Sequence, residues 1–384
     1  MSSLLKKWIA ILAVIPGIIL IYFIISYSKK PVNYLENQDG LLTLQQSKLI
    51  FKEIQQFPNH TQMALALISN DSSVFYGVIK NNNSVRQIDN KHAVFEIGSI
   101  TKVFTSTLLA DFVLDSILTL ERDINEDLDF ELNNNIRISY KELANHTSGL
   151  LRLPSNMIYS VIKSPLNPYK YYTAEKLENY LSKKMKVADN KTYEYSNLGV
   201  GILGYILCQK SKCDYETLLK EKIFSKYGLN HTTTIRKNVV GNLVTGIGPL
   251  GNRTPNWDLA SLEAAGGILS NVTDLTKFVM AQFDSTNSEL ALTRKSTFVV
   301  NSRKDIGLGW HILKDKSDNN WYFHNGGTGG YRCALVLDTE TRTGIIILTN
   351  ISVGHRKSKQ IDELCFELMK SINGSGKKPI NVND

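Results

Sequence analysis

The stretch Phe95-Glu-Ile-Gly-Ser99-Ile-Thr-Lys102-Val-Phe104 is the part of the chain around which the rest can be organised. An apolar run stops at a glycine, and a serine and a lysine follow three residues apart. Beyond them Val103, Phe104, Leu108, Leu109, Phe112 and Val113 recur at helical spacing, which predicts a buried helix from about Ser99 to Ser116. Serine and lysine at i and i+3 face the same side of its first turn. A serine hydroxyl becomes a nucleophile when a neighbour takes its proton, and an amine of lowered pKa one turn away can do so. The helix N-terminus adds unpaired N–H groups that favour developing negative charge. The spacing alone decides nothing, because Ser26–Lys29 and Ser160–Lys163 repeat it.

Working outward, Leu44 to Phe57 has helical spacing and stops at Pro58. Met63–Ile68 and Val74–Ile79 read as strands joined by the turn-rich Ser69–Ser73, and Val94–Ile97 leads into the Ser99 helix. Residues 120–263 instead carry helical patterns, at Ser139–Ala144, Ala174–Lys184, Leu198–Lys210 and Tyr215–Tyr227. A further helix, Val272–Phe283, has Ser270 or Asn271 as its cap. Strand patterns return at Gly309–Leu313, Trp321–His324, Tyr331–Leu337 and Gly344–Thr349, before an amphipathic helix from about Lys359 to Ile372. Strands at both ends and helices between predict an α/β (α+β) architecture. One largely antiparallel sheet would be built from both ends of the chain, with an all-helical domain inserted. The expected boundaries are a sheet-bearing part at 43–119 and 264–375, a helical part at 120–263, a tether at 31–42 and a polar tail at 376–384.

At 384 residues, 42% apolar and 21% charged, the composition is that of a globular protein with a substantial core. Four lysines and no acid in residues 1–30 account for half of the +8 net charge, and no later basic cluster is dense enough to suggest nucleic acid. Trp8 to Tyr27 is an uncharged run of 20 residues between Lys6-Lys7 and Lys29-Lys30. A helix of about 20 residues crosses a bilayer core of ~30 Å. The run is longer than a signal-peptide core and lacks a small-x-small cleavage site, so an uncleaved N-terminal membrane anchor is expected, with a cleaved signal as the alternative. Cys208 and Cys213 are either a disulfide or two thiols. No Cys/His grouping has metal-ligand spacing, so neither a metal nor another cofactor is expected.

Two later motifs can complete a site around Ser99. Tyr195-Ser-Asn197 is the only Tyr-x-Asn in the chain and opens a helix; its phenol can shuttle a proton and its amide can hold a carbonyl or orient Lys102. His324-Asn-Gly326-Gly327-Thr-Gly329-Gly330 ends a strand with glycines that permit close backbone approach to a ligand.

The order Ser99-x-x-Lys102, Tyr195-x-Asn197, His324-x-Gly326 resembles that of the serine β-lactamase and penicillin-binding-protein superfamily. It is most similar to the class C β-lactamase-like branch, which includes D,D-carboxypeptidases, D-aminopeptidases and esterases. Phe95–Phe104, His146-Thr-Ser-Gly-Leu150, Tyr195–Gly204, Ala265–Phe278 and His324–Tyr331 resemble family segments in family order, so the likeness covers about residues 45–370. The resemblance implies a D,D-peptidase/β-lactamase-like fold with its site between the sheet-bearing and helical parts. It implies that Ser99 forms an acyl-enzyme and that Lys102 and Tyr195 share the proton transfers, either being the base. The N–H groups of Ser99 and Gly327 would form the oxyanion hole, Asn197 would contact substrate or Lys102, and His324 and Gly326 would bind substrate. His146 is expected to be structural.

One departure bears on the substrate. Efficient β-lactamases of this type carry Lys-Thr-Gly where this chain has His324-Asn-Gly326, and histidine is a weaker fixed cation. Arg342-Thr-Gly344 imitates that motif but falls in a turn between strands. The expected activity is therefore hydrolysis of an ester or peptide substrate by a membrane-anchored, extracytoplasmic enzyme. A β-lactamase proper, or a penicillin-binding sensor acylated without turnover, are the alternatives.

Overall fold

The structure is a computed structural model that describes residues 31–35, 40–70, 72–314 and 319–372. The expected anchor at Trp8–Tyr27 and the tail at 376–384 lie outside the described residues. Among the described residues no helix is long and apolar enough to cross a membrane.

The large sheet contains β1 Val32–Asn33, β2 Thr61–Ser69, β3 Ser72–Asn81, β4 Ser84–Ile88, β7 Phe298–Asn301, β8 Lys304–Ile306, β9 His311–Lys314, β10 Asn320–Gly327, β11 Arg332–Asp338 and β12 Thr343–Thr349. Their order is β1-β4-β3-β2-β12-β11-β10-β9-β8-β7. All neighbours are antiparallel except β1 with β4. The β2–β12 ladder, running from Met63 opposite Thr349 to Ser69 opposite Thr343, joins the two ends of the chain into one sheet. A separate pair, β5 Phe95–Glu96 with β6 Leu269–Ser270, leads into the Ser99 turn.

Period-two alternation divides the sheet's apolar residues between two cores. Met63, Leu65, Leu67, Ile345 and Ile347 meet α1 (Leu44–Ile54) and the C-terminal helix Gln360–Ile372. Ala64, Ala66, Ile68, Ile346 and Leu348 face the other way, toward α2 (Thr101–Leu114). Because α2 is enclosed on nearly every side, its sequence is apolar or small all round rather than amphipathic.

Between β5 and β6 the described chain adds no strand to the large sheet. It forms α3 Tyr140–Ala144, α4 Ile158–Lys163, α5 Ala174–Lys183, α6 Asn197–Ser211 and α7 Tyr215–Leu219, whose buried residues join the same core as α2. Then follow α8 Val272–Gln282, capped by Asn271 accepting from the Asp274 N–H at 2.8 Å, α9 Ser288–Thr293 and α10 Gln360–Ile372.

Strands β1, which falls in the expected tether, β4, β6, β7 and β8 and helices α4 and α9 are absent from the sequence reading. Strands β7 and β4 lie at or next to the sheet's edges and bury few side chains, Val85 alone in β4, so they lack an apolar alternation to detect. All four cysteines are free thiols, with Cys333 and Cys365 buried.

Candidate active site

Ser99 lies half-buried in the single turn Gly98–Ile100 that precedes α2, pressed against the end of β10. The contact is closer than side chains allow. A methyl group on Gly326 would lie 1.8 Å from the Ile97 carbonyl oxygen and 3.0 Å from the Ser99 nitrogen, and one on Gly98 would lie 2.5 Å from the Gly327 nitrogen. The Ser99 and Gly327 amides are therefore brought to one place, where two donors can face one oxyanion.

Alternation along β10 places His324. Trp321 and Phe323 pack on Phe366 of α10, and Asn325 donates to Asp362 of the same helix at 2.8 Å. Tyr322, His324 and Gly326 consequently point to the opposite side, toward α2 and the cleft.

Lys102 is fully buried in the first turn of α2. Its Nζ lies 3.1 Å from Ser99 Oγ and donates to the Ala265 carbonyl oxygen at 2.6 Å. That carbonyl comes close because α6 packs tightly on the turn 260–265: a methyl on Gly204 would meet the Ala264 Cβ at 2.1 Å. No carboxylate pairs with Lys102 among the described residues. Burial first, and the Arg152 charge second, hold its pKa well below the ordinary lysine range. An amine in that state has a lone pair for the Ser99 proton.

Tyr195 precedes α6, with Lys102 Nζ 4.9 Å and Arg152 Cζ 5.0 Å from its ring centroid. Burial pushes its phenol up to about 12, against the opposing pull of the Ser99 contact and the Arg152 charge. The loop is tied to the His146–Leu150 stretch and the residues after it. Ser196 N–H donates to His146 Nδ1 at 3.2 Å, Ser196 Oγ donates to the Leu151 carbonyl at 2.7 Å, and Asn197 and Leu198 donate to the Arg152 carbonyl at 3.0 and 3.2 Å. His146 thus supports the Tyr195 loop, its ring 4.5 Å from that of Tyr195.

Asn197 donates to the Tyr169 hydroxyl at 3.1 Å, and its Oδ1 is buried without a partner. It does not bond to Lys102, so of the two contacts expected from sequence the structure leaves the substrate one. His324 is buried, its Nδ1 donates to the Asn325 carbonyl at 2.7 Å, and its Nε2 has no partner. Burial, then the neighbouring Lys102, pushes its pKa down to about 3. The sequence reading treats His324 as a weak cation; in this setting it is a neutral imidazole whose unprotonated Nε2 can accept a hydrogen bond.

The competing signals go elsewhere. Ser160 accepts from the Tyr171 N–H at 3.1 Å on the surface helix α4, and Ser26–Lys29 lies outside the described residues. Arg342 sits in the β11–β12 turn and donates to the Phe283 carbonyl at 3.2 Å. Sequence reasoning missed Arg152, Tyr169, His311, whose ring centroid is 5.3 Å from that of His324, and Lys304, 4.8 Å from the Tyr193 ring. Only Arg152 carried a signal, standing two residues beyond the His146–Leu150 stretch. The charge acting most strongly on Lys102 and on Tyr195 is that of Arg152, and the charge acting most strongly on His146 and His324 is that of Lys102. Among the described residues no group of three or more His, Cys, Asp or Glu is placed to hold a metal ion.

With this geometry in hand, comparisons with known proteins agree on one lineage. The D-alanyl-D-alanine-carboxypeptidase/endopeptidase AmpH of Escherichia coli is 26% identical over 351 residues, covering 84% of this chain and 87% of that protein. Beta-lactamase-like protein 4 of Dictyostelium discoideum is 25% identical over 249 residues; the match takes in 58% of this chain but only 42% of that longer protein. A class C beta lactamase from Rhodobacter sphaeroides shares the fold, with a TM-score of 0.71 at 16% identity over 86% of this chain and 98% of that one. The Beta-lactamase family model matches residues 50–367, and the chain belongs to this family of serine hydrolases.

Proposed function

We propose that the protein is a membrane-anchored serine hydrolase that opens an ester or peptide bond through an acyl-enzyme at Ser99. The observation that carries this reading is the placement of Ser99 Oγ 3.1 Å from a buried Lys102 Nζ, beside Tyr195. Lys102 serves as the base: its amine takes the Ser99 proton as Oγ bonds to the acyl carbon. Tyr195, protonated because its pKa is pushed up to about 12, relays a proton to the departing alcohol or amine as the carbon–heteroatom bond breaks, and recovers one from Lys102. The Ser99 and Gly327 N–H groups hold the oxyanion, and the free Oδ1 of Asn197 accepts from a substrate amide. Water then attacks the acyl-enzyme by the reverse proton path, returning Ser99 and releasing the acid.

An ester or peptide is favoured over a β-lactam because His324, in the place of the Lys-Thr-Gly lysine, offers an uncharged acceptor rather than a fixed cation for a carboxylate. The likeness to AmpH, a D-alanyl-D-alanine carboxypeptidase and endopeptidase, supports the peptide side. The uncharged run Trp8–Tyr27 supports an N-terminal anchor with the catalytic part outside the cytoplasm; cleavage of that part by protease added to the outer face tests this, and protection would refute it.

The chemical reading is tested with Ser99→Ala. Labelling by a fluorophosphonate probe or a fluorescent penicillin should vanish, and persistent labelling would overturn the assignment. On the wild-type chain, turnover of p-nitrophenyl esters or D-amino-acid amides well above that of nitrocefin is expected. The reverse ranking would make it a β-lactamase, and stoichiometric acylation without turnover would make it a sensor.

A further inference from the structure

The lobe formed by residues 151–172 buries Met157, Tyr169 and Tyr172 in the core and turns a second set of apolar side chains outward. In α4 and just after it, Ile162 is 72% exposed, Ile158 62%, Leu166 58% and Tyr159 55%. This is not fraying, because the lobe is fastened from within. Ser160 Oγ holds the Tyr171 N–H at 3.1 Å, Tyr172 donates to Asn156 Oδ1 at 2.8 Å, Asn167 donates to Asp258 at 2.8 Å, and Trp257 Nε1 donates to the Leu166 carbonyl at 3.0 Å. The polar groups of the segment are thus spent on fixing it, and a cluster of large aliphatic side chains is left facing water. A lone exposed leucine needs no explanation, whereas a contiguous group on a fixed support marks an interaction surface.

The charges around the cluster identify the partner. From Leu151 to Ala174 the chain has no Asp or Glu but has Arg152, Lys163 and Lys170, with Lys176 just beyond. Lys163 Nζ stands 4.1 Å from the Tyr171 ring centroid and Lys176 Nζ 4.6 Å from that of Tyr159, where it also donates to the Tyr171 carbonyl at 2.6 Å, so the ammonium groups lie over aromatic faces at the border of the apolar patch. Lys163 and Lys170 have no carboxylate partner among the described residues. Aliphatic and tyrosine side chains ringed by unpaired lysines suit the boundary of a bilayer with anionic headgroups. A second copy of this chain, with its own net charge of +8, is less favoured by overall charge than an anionic surface.

We propose that the face carrying Ile158, Tyr159, Ile162, Leu166, Lys163 and Lys170 docks on an anionic phospholipid surface. This lobe also supplies Tyr169, which holds Asn197, and Arg152, which lies over Tyr195, so docking seats the rim of the catalytic cleft on the membrane. The inference concerns a surface and does not depend on which bond Ser99 opens.

The test uses the full chain, with Cys208 and Cys213 replaced by serine, reconstituted in nanodiscs of phosphatidylcholine alone or of phosphatidylcholine with phosphatidylglycerol. A spin label on Ile162→Cys reports accessibility to oxygen and to a water-soluble nickel chelate; a label on Leu114→Cys, at the far end of α2, is the reference. In phosphatidylglycerol discs, chelate accessibility at 162 should fall severalfold while oxygen accessibility rises, with no change at 114. Lys163→Glu with Lys170→Glu should abolish the difference, and Lys163→Ala with Lys170→Ala should weaken it, each with an unchanged melting midpoint. Equal chelate accessibility in both lipids would overturn the proposal. So would protection that ignores lipid charge and grows with protein concentration, which would assign the face to a second copy.

Discussion

The wall of the cleft made by α2 and β10 is closed, whereas the wall made by residues 151–172 is half open. On the first, Lys102 and His324 are buried and Gly326 leaves no room even for a methyl group. On the second, Arg152 is exposed over the Tyr195 ring, with its backbone but not its guanidinium tied down. The difference follows from what each wall has to do. Burial lowers the pKa of an amine, so the lysine proposed to take the Ser99 proton is held in the core. Selecting and admitting a substrate needs access, so charge and apolar surface on the opposite wall stay at the rim.

Substitutions on the two walls should therefore fail differently. Lys102→Met conserves the buried volume and removes the amine, so acylation should slow by about 10²–10⁴-fold while the melting midpoint holds or rises. A loss of less than tenfold in stopped-flow acylation would erase the distinction. Gly326→Ala attacks the same wall by packing: its methyl would meet the Ile97 carbonyl, and the shift needed should cost about 1–3 kcal/mol in denaturant unfolding, with acylation falling alongside.

On the open wall, Arg152→Gln should leave stability unchanged and alter the pH profile. Arg152 lowers the Lys102 pKa, so without it that pKa rises and the rising limb of the acylation rate moves to higher pH. An unmoved limb would show that the guanidinium does not act on Lys102. A separate effect, on stability alone, is expected at Glu263. Burial raises the Glu263 carboxyl from 4.5 to about 7. The folded state therefore holds this proton more tightly than the unfolded chain, and stability should fall as pH rises from 4.5 to 7. Glu263→Gln should flatten that fall, giving a melting midpoint above wild type at pH 8 and close to it at pH 4.5, as read by calorimetry.

The two walls also differ in how well they could be read from sequence. Ser99, Lys102 and Gly326 belong to short motifs on a strand and a helix whose burial forces regular apolar spacing. Tyr169 and Lys304 stand on a loop and on a three-residue strand next to the sheet's edge with no period, and they reach the site only through the path of the chain.

What the sequence by itself determined is local. Alternation set the faces of β2, β10, β11 and β12, helical spacing set α2 and α6, and the three motifs in order picked Ser99 from among several Ser-x-x-Lys matches. Only the tertiary structure decided that Lys102 and His324 lie in the core without a counter-charge, that Asn197 turns to Tyr169 instead of Lys102, and that the 151–172 lobe shows a second set of apolar side chains to the outside. The physical reason is that desolvation and hydrogen-bond partners depend on segments far apart in the chain. Ala265 caps Lys102 from 163 residues away. A residue's type fixes which chemistry it can do, and its packing fixes in which protonation state it is held.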